Sequence, residues 1–213
     1  KLLSYIENVK ISASTEPENL AVNCIRFEIE ENKLKLISSD TYRLTYIEEE
    51  LEENEKNKEG LSVSIPLKTI DGLIKIMRLI NEDNIIFKSD GTRVFFKFSN
   101  IEILTRVIEL QFPDYKSILK SAQHDKKILL NTKDFLSVLK RTLIFVRDNK
   151  DSKNGGIFNF ENNKLVLTGI NENAKIKEEL VTIQEGDNLI ISLNVKFLLD
   201  YISILAGKVT ELK

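Results

Sequence analysis

The sequence of 213 residues contains one cysteine, Cys24, and one histidine, His124. A single cysteine cannot form an internal disulfide, and this scarcity fits a reducing compartment. One Cys and one His are also too few for a typical zinc site or a Cys–His nucleophile pair, so neither kind of site is predicted. No segment approaches the run of about 20 apolar residues that a membrane-spanning helix needs, so we expect no membrane partner.

Motifs that would indicate an enzyme are scarce. The phosphate-binding patterns G-x-x-x-x-G-K-[ST] and G-x-G-x-x-G are both absent, and no loop of that kind is predicted. Gly155-Gly156 follows a polar run and is predicted to lie in a loop before a strand. Acidic residues cluster in runs such as Glu48–Glu50, which is more typical of solvated edges than of acid–base pairs. We therefore expect no catalytic site and no cofactor.

The charge balance excludes binding to nucleic acid through net charge alone. The sequence has 31 Lys and Arg against 33 Asp and Glu, a formal net charge of −2 at pH 7. Any contact with nucleic acid must therefore depend on local basic patches. The chain begins at Lys1 without Met, and its first residues lack a cleavage-site pattern. We expect a piece of a longer chain and no signal peptide.

Two segments with the same alternation of polar and apolar residues indicate an internal repeat. RFEIEENKLKLISSD begins at Arg26, IFNFENNKLVLTGIN begins at Ile157, and their Asn-Lys-Leu triplets lie 131 positions apart. Each triplet is predicted to follow the corner of a β-hairpin, with Glu-Asn or Asn-Asn at the turn. Tandem copies of one fold explain this order better than two unrelated α+β domains.

Amphipathic segments recur at nearly the same interval and are predicted to be helices. SYIENVKISAS and SIPLKTIDGLIKIMRLI belong to the first copy, and TKDFLSVLKRTLIFV and SLNVKFLLDYISILAG belong to the second. Each copy is therefore predicted to pack two helices on antiparallel sheets, which is an α+β fold. A last meander, with a turn at Asp90-Gly91, completes the first copy and is expected to be missing from the second. We predict domains at 1–121 and 122–213.

The predicted helices carry apolar residues on one face and basic residues on the other. In the segment Ile70–Ile80 the apolar positions follow i, i+3, i+4, i+7, and Phe135–Val146 repeats the pattern. Cations on an exposed helix face can meet phosphates without reading bases, although such residues also decorate ordinary solvated helices. The basic residues on these faces are Lys10, Lys68, Lys75, Arg78, Lys140, Arg141 and Lys196.

The stretch SSDTYRLT, Ser38–Thr45, places an acid, a phenol and a guanidinium at a corner between two predicted strands. Gly, Asn or Pro would be usual there. Asp40 and Asp114 are isolated acids near Arg43 and Tyr115, and each is predicted to cap or tether a turn.

Four segments resemble the bacterial sliding clamp family, the β subunit of DNA polymerase III. They are NCIRFEIEENKLKLISSDTYRLT, IPLKTIDGLIKIM, LQFPDYKSIL and SLNVKFLLDYISIL. Members of the family typically show the stretches T-D-G-H-R-L, F-P-D-Y-R and F-N-x-x-Y-L-L-D, in that order. The resemblance implies a ring of two subunits with three similar domains each. Helices would line a hole around duplex DNA, with the sheets outside. This chain would be the middle domain and most of the third.

The resemblance also implies a peptide pocket between the middle and third domains. It would receive short motifs from the polymerase III catalytic subunit and the clamp loader. The sequence departs from the family at Thr41-Tyr42, where Gly-His is usual, at Ser117, where Arg is usual, and at Phe197, where Tyr is usual. The implied pocket residues are Val22, Ser39, Thr41, Tyr42, Arg43, Leu44, Pro113, Ile118, Asn194 and Phe197.

Together these observations favour a cytoplasmic DNA sliding clamp, a processivity factor without its own catalysis that binds double-stranded DNA without sequence specificity. The basic helix residues named above would then face DNA. The full subunit would form a homodimeric ring, whereas this chain is expected to be a monomer. A second hypothesis is a duplicated α+β interaction module without a DNA role. For the implied pocket there is also a plainer interpretation, in which Leu44 and Ile118 are ordinary core and Arg43 is a surface cation.

Overall fold

The computed structural model describes residues 1–51, 60–80, 85–98, 100–122, 125–147, 153–205, 207 and 209–213. These residues form two compact units, Lys1–Lys120 and Ser121–Lys213. His124 lies outside the described ranges. The predicted tandem α+β arrangement is confirmed, because each unit packs helices on antiparallel sheets. Within the described residues, no helix has both the length and the apolar character needed to cross a membrane.

In the first unit, two antiparallel sheets and two long helices enclose one core. In chain order, the elements are α1 (Leu2–Lys10), β1 (Cys24–Glu30), β2 (Lys33–Ser39), β3 (Leu44–Glu50), β4 (Leu61–Pro66), α2 (Leu67–Leu79), β5 (Ile86–Ser89), β6 (Arg93–Phe98), β7 (Ile101–Arg106) and α3 (Tyr115–Ser121). The sheets have the strand orders β3-β2-β1-β4 and β5-β6-β7, and α1 packs against α2. Ile6 of the first helix and Phe27 and Phe96 of the two sheets are almost fully buried in that core.

The second unit repeats the helix pair on a single sheet. The elements are β8 (Lys127–Asn131), α4 (Thr132–Val146), β9 (Gly155–Glu161), β10 (Lys164–Ile170), β11 (Lys175–Glu185), β12 (Leu189–Asn194), α5 (Val195–Ile204) and β13 (Val209–Leu212). The six strands have the order β12-β9-β10-β11-β8-β13 and are all antiparallel. Phe135, Phe158 and Leu167 are buried in the core, and α4 packs against α5.

Both predicted hairpin corners are confirmed, and they have the same geometry. Glu31 and Asn32 have φ of 50° and 69°, and Asn162 and Asn163 have φ of 52° and 60°. Two consecutive residues with positive φ between paired strands form the type I′ turn, whose twist matches that of the strands. The register closes at Glu30↔Lys33 in one hairpin and at the equivalent pair in the other. The sequence repeat therefore marks a structural repeat.

The predicted apolar helix faces are also confirmed. On α2, Ile70, Leu73 and Ile74 are buried, and on α4 every third or fourth residue from Phe135 to Val146 is buried. The stripe that faces the core is the one that the 3.6-residue period placed there. The basic residues of these helices consequently lie on the opposite, solvent-exposed side.

Two features differ from the sequence-based expectation. Gly155-Gly156 lies within β9 and not in a loop. The strand tolerates glycine there because a Cβ on Gly156 would lie 2.7 Å from Cγ2 of Val195, so α5 packs directly on the backbone. The segment after Pro113 forms a short helix, α3, that the sequence pattern did not predict. Asp114 caps it by accepting hydrogen bonds from the Ser117 amide and hydroxyl at 3.1 and 2.5 Å, as expected for this isolated acid.

Candidate peptide groove and nucleic-acid face

The corner between β2 and β3 is held by its own polar side chains. Asp40 Oδ1 accepts hydrogen bonds from the backbone amides of Tyr42 and Arg43 at 3.1 and 3.0 Å, and Oδ2 accepts from Arg43 Nε at 2.9 Å. Ser39 Oγ accepts from the Thr41 amide and donates to the Arg43 carbonyl. The prediction that Asp40 tethers this turn is confirmed. Asp40 thus binds two backbone amides of the turn and the Arg43 guanidinium at the same time.

The same corner occurs a second time in the first unit, between β5 and β6. Asp90 Oδ1 accepts from the amides of Thr92 and Arg93 at 3.0 and 2.6 Å, and Ser89 Oγ accepts from the Gly91 amide at 3.0 Å. The two corners share the pattern Ser-Asp-x-x-Arg, 50 positions apart. This repetition was visible in the sequence. The pattern therefore stabilises a turn, and it does not by itself indicate a ligand site.

The two corners differ at the residue after the aspartate. Thr41 has φ of 76°, and Gly91 has φ of 89°. A side chain in the left-handed region costs about 1–2 kcal/mol for a residue other than glycine, and a β-branched residue is especially strained there. Nothing lies within 4 Å of the position that a Cβ on Gly91 would take. The two turns therefore form a matched pair for measuring this strain.

We expect Thr41→Gly to raise the free energy of unfolding by about 0.5–1 kcal/mol, because the relief of strain exceeds the added entropy of the unfolded chain. Gly91→Thr should lower it by about 1–2 kcal/mol in the same turn. Urea unfolding of both variants measures the two changes. Equal stability of Thr41→Gly and the parent chain would show that Thr41 is not strained.

Leu44 links this corner to the Phe112–Tyr115 segment. It is half-buried and packs against a small cluster made of Cys24, Ile37, Phe112 and Tyr115. Burial raises the pKa of the Cys24 thiol to about 11, so that side chain stays neutral and serves as an apolar member of the cluster. The fold therefore brings together two of the four sequence segments that suggested a groove.

The remaining candidate groove residues of the first unit range from buried to exposed. Val22 and Ser39 are buried, Arg43 and Pro113 are half-buried, and Thr41 is exposed. The side chains of Tyr42 and Ile118 are open to solvent, with exposed fractions of 86 % and 52 %. The apolar floor at Leu44 thus has two large exposed side chains in the segments that flank it.

Asn194 and Phe197 belong to the second unit, at the junction of β12 and α5. Asn194 Oδ1 accepts a hydrogen bond from the Phe197 amide at 3.1 Å and caps the helix. Asn131 caps α4 in the same way, through the Asp134 amide. Capping of this kind satisfies a backbone donor that has no partner within the helix. Both helices of the second unit thus begin with the same Asn cap. Asn194 therefore has a structural role in addition to its predicted role in the groove.

A buried polar network in the first unit was missed by the sequence reasoning. Glu28, only 8 % exposed, accepts hydrogen bonds from Tyr115 Oη at 2.7 Å, Arg26 Nε at 3.2 Å and Ser62 Oγ at 3.1 Å. Lys116 Nζ lies 3.6 Å from the same carboxylate. Burial alone would raise the pKa of Glu28, but the hydrogen bonds and the lysine outweigh it and hold the pKa below its ordinary value. The group is therefore ionised and fully partnered.

Among the seven basic residues predicted to face DNA, four are paired with acids of their own unit. In the first unit Lys10 Nζ lies 2.6 Å from Asp71, and Arg78 Nη2 lies 2.6 Å from Glu7, so both pairs join α1 to α2. In the second unit the other two make similar pairs. These are Arg141 with Glu178 and Lys196 with Asp200. Part of the positive charge on the helices is thus already neutralised.

Lys68, Lys75 and Lys140 form the remaining set. All three are exposed, and none has an ion pair within the described ranges of the chain. Lys68 and Lys75 lie two turns apart on one side of α2, opposite buried Ile70 and Leu73. Of the seven residues predicted to face DNA, these three are the ones that an external anion can reach without breaking an ion pair within the described residues.

Comparison with known proteins places both units in one family. A family model described as DNA polymerase III beta subunit, central domain, matches residues 1–114, and one for the C-terminal domain matches residues 117–213. The beta sliding clamp of Staphylococcus epidermidis is 28 % identical over 100 % of this chain and 55 % of its own length. That of Bacillus subtilis is 25 % identical over 97 % of this chain and 54 % of its own length.

Solved structures agree with these matches. The crystal structure of the DNA polymerase III beta subunit from Thermotoga maritima aligns with a TM-score of 0.90 and 26 % identity, over 99 % of this chain and 55 % of that one. The chain thus spans about half the length of these relatives. The matches favour the clamp hypothesis over an unrelated interaction module. Because both units match domains of the same subunit, this chain belongs to the DNA polymerase III beta subunit family, the sliding clamps.

Proposed function

We propose that this chain is part of a DNA sliding clamp, a cytoplasmic processivity factor that encircles duplex DNA and performs no catalysis itself. The observation that carries the proposal is that Lys68, Lys75 and Lys140 are exposed on the helices and have no ion pair within the described residues. Cations in such positions hold phosphates without reading base sequence. That property suits a protein that must travel along DNA.

Within such a ring, residues 1–121 are proposed as the middle domain and residues 122–213 as the third domain. Two full subunits would close the ring around the duplex. The helices of each domain would face the DNA, so the basic residues paired with acids would add less to binding than the three lysines do. This ranking follows from the ion pairs at 2.6 Å on Lys10 and Arg78, which compete with phosphates.

The groove is proposed to hold short linear motifs of the polymerase III catalytic subunit and the clamp loader, of the type Gln-x-x-Leu-Phe. Leu44 would form the apolar floor, with Pro113 and Ile118 beside it. The packing of Leu44 with Phe112 and Tyr115 supports this, because the floor is already fixed before a peptide arrives. Val22, Ser39, Thr41, Tyr42 and Arg43 are proposed as the rest of this wall, with Asn194 and Phe197 as the contribution of the third domain.

The association of the chain with duplex DNA tests the proposed function. Fluorescence anisotropy with two duplexes of unrelated sequence should give equal, weak affinities. The logarithm of the association constant should fall linearly with the logarithm of salt concentration between about 50 and 200 mM, because bound phosphates release counterions. Binding that ignores salt or prefers one sequence would contradict a clamp. Complete absence of binding would favour the interaction module.

A further inference from the structure

We infer that the hydrogen bond between Tyr115 and Glu28 is a latch that positions the segment 107–118 for peptide binding. The inference rests on the proposed groove and deepens it. Neither residue is assigned to contact the peptide. Both are positioning residues, acting through Pro113 and Ile118, which the segment carries.

The segment is attached near both of its ends, by hydrogen bonds to β1, to β4 and to the turn between β5 and β6. At one end, the Ile108 amide donates to the Ser64 carbonyl at 2.8 Å, and the Val107 amide donates to the Thr92 carbonyl at 3.0 Å. At the other end, Tyr115 Oη donates to Glu28 at 2.7 Å. A cleft of about 540 Å³, lined by sheet residues on one side and residues 107–116 on the other, lies along the segment. Between these two attachments, Phe112 is buried in the cluster with Cys24 and Ile37, so the exposed positions near it depend on both ends of the segment.

The attachment at Glu28 is built into the sheet. Arg26 and Glu28 alternate along β1 and lie opposite Ser64 and Ser62 of β4. The Arg26 guanidinium hydrogen-bonds both serines and Glu28. Arg26 and Ser62 both donate to Oε1 of the carboxylate, and Oε2 accepts from Tyr115. A charged acceptor of this kind makes a stronger hydrogen bond than a neutral one. Glu28 therefore offers Tyr115 an acceptor whose position is already fixed by the sheet.

The Tyr115 ring connects the latch to the proposed groove through its packing contacts. It stacks on Tyr46 with a centroid distance of 5.9 Å and an interplanar angle of 29°, and it belongs to the cluster beneath Leu44. Tyr115 is also the first residue of α3, which carries Ile118. Loss of the latch would therefore disturb both the floor of the groove and one of its walls.

The chain offers a matched control for this latch. Tyr5 Oη donates to Glu49 Oε2 at 2.8 Å, which is the same chemical pair in the same unit. Tyr5 lies on α1 and packs on the main core, away from the cluster of Leu44. Tyr5→Phe and Tyr115→Phe each delete one oxygen and keep the ring. A purely structural role would make the two variants alike.

The experiment titrates the full 213-residue chain with a Gln-x-x-Leu-Phe peptide and records amide hydrogen exchange without peptide. Tyr115→Phe should weaken peptide binding about tenfold or more, as expected for a lost hydrogen bond to a charged group, and should speed exchange at the Ile118 amide. Tyr5→Phe should change neither. Glu28→Gln, which keeps an acceptor for the phenol, should weaken binding less than Tyr115→Phe.

The possible outcomes distinguish a failure of the proposed latch from a failure of the proposed groove. If the parent chain binds the peptide and Tyr115→Phe binds it as tightly as Tyr5→Phe does, the latch is wrong and the groove stands. If Glu28→Gln weakens binding more than Tyr115→Phe, the ion pairs and not the phenol hold the segment, which also overturns the latch. If the parent chain does not bind the peptide, the proposed groove fails and the inference fails with it.

Discussion

Leu44→Asp is expected to lower the affinity for a Gln-x-x-Leu-Phe peptide by about 100-fold or more. The substitution places a carboxylate on the apolar floor of the proposed groove, where a bound peptide would bury it without a partner. A loss of that size corresponds to about 2.7 kcal/mol of binding free energy. Isothermal titration of the parent and variant chains measures it.

The matched control is Leu104→Asp. Leu104 lies on β7 of the same unit, 55 % exposed, and is not a member of the Leu44 cluster. The Leu104→Asp substitution makes the same change of size and charge at a surface outside the proposed groove. The peptide affinity of this variant should therefore equal that of the parent chain. A thermal scan of Leu44→Asp checks that the first unit remains folded at the assay temperature. Unchanged affinity in folded Leu44→Asp would remove Leu44 from the groove.

Much of the fold follows from local sequence patterns. The two Asn-Lys-Leu triplets located both type I′ corners, and the 3.6-residue period located the buried faces of α2 and α4. These elements obey short-range rules of backbone conformation and amphipathicity, which a single sequence displays directly. The same holds for Asp40, whose neighbours along the chain are the groups it bonds.

What could not be predicted depends on contacts between distant residues. Glu28 and Tyr115 are 87 positions apart, so the sequence around either residue does not predict the buried polar network that they form. The ion pair of Arg78 with Glu7 likewise joins two helices that are far apart in sequence. Gly155-Gly156 was misread as a loop because the reason for glycine, the close approach of Val195, comes from another element. For the candidate site, the segments were proposed from the sequence, whereas the pairing of their charges depends on tertiary packing.

Reversing Lys68, Lys75 and Lys140, three exposed helix lysines without an ion pair within the described residues, is expected to remove most DNA affinity. Lys68→Glu, Lys75→Glu and Lys140→Glu together should weaken duplex binding by about 100-fold or more at 0.1 M salt, as three lost phosphate contacts predict. Folding stability should change little, because isolated exposed charges contribute little to it. Anisotropy measures the affinity, and urea unfolding measures the stability.

The control for this triple variant carries the same change in net charge at other sites. Lys88, Lys153 and Lys175 are exposed, lie outside the helices, and have no ion pair within the described parts of the chain. Replacing these three by Glu tests whether the overall field of the protein, rather than the helix faces, governs binding. Their variant should lose much less affinity than the helix variant.

The salt dependence of duplex binding in these variants tests the clamp account most directly. In a plot of the logarithm of the association constant against the logarithm of salt concentration, the helix triple variant should have a slope shallower than that of the parent by about 2–3, roughly 0.9 for each lost phosphate contact. The control triple variant should keep the slope of the parent chain. Equal slopes for the parent and the helix variant would show that the helix faces carry no DNA contacts, and would contradict the account.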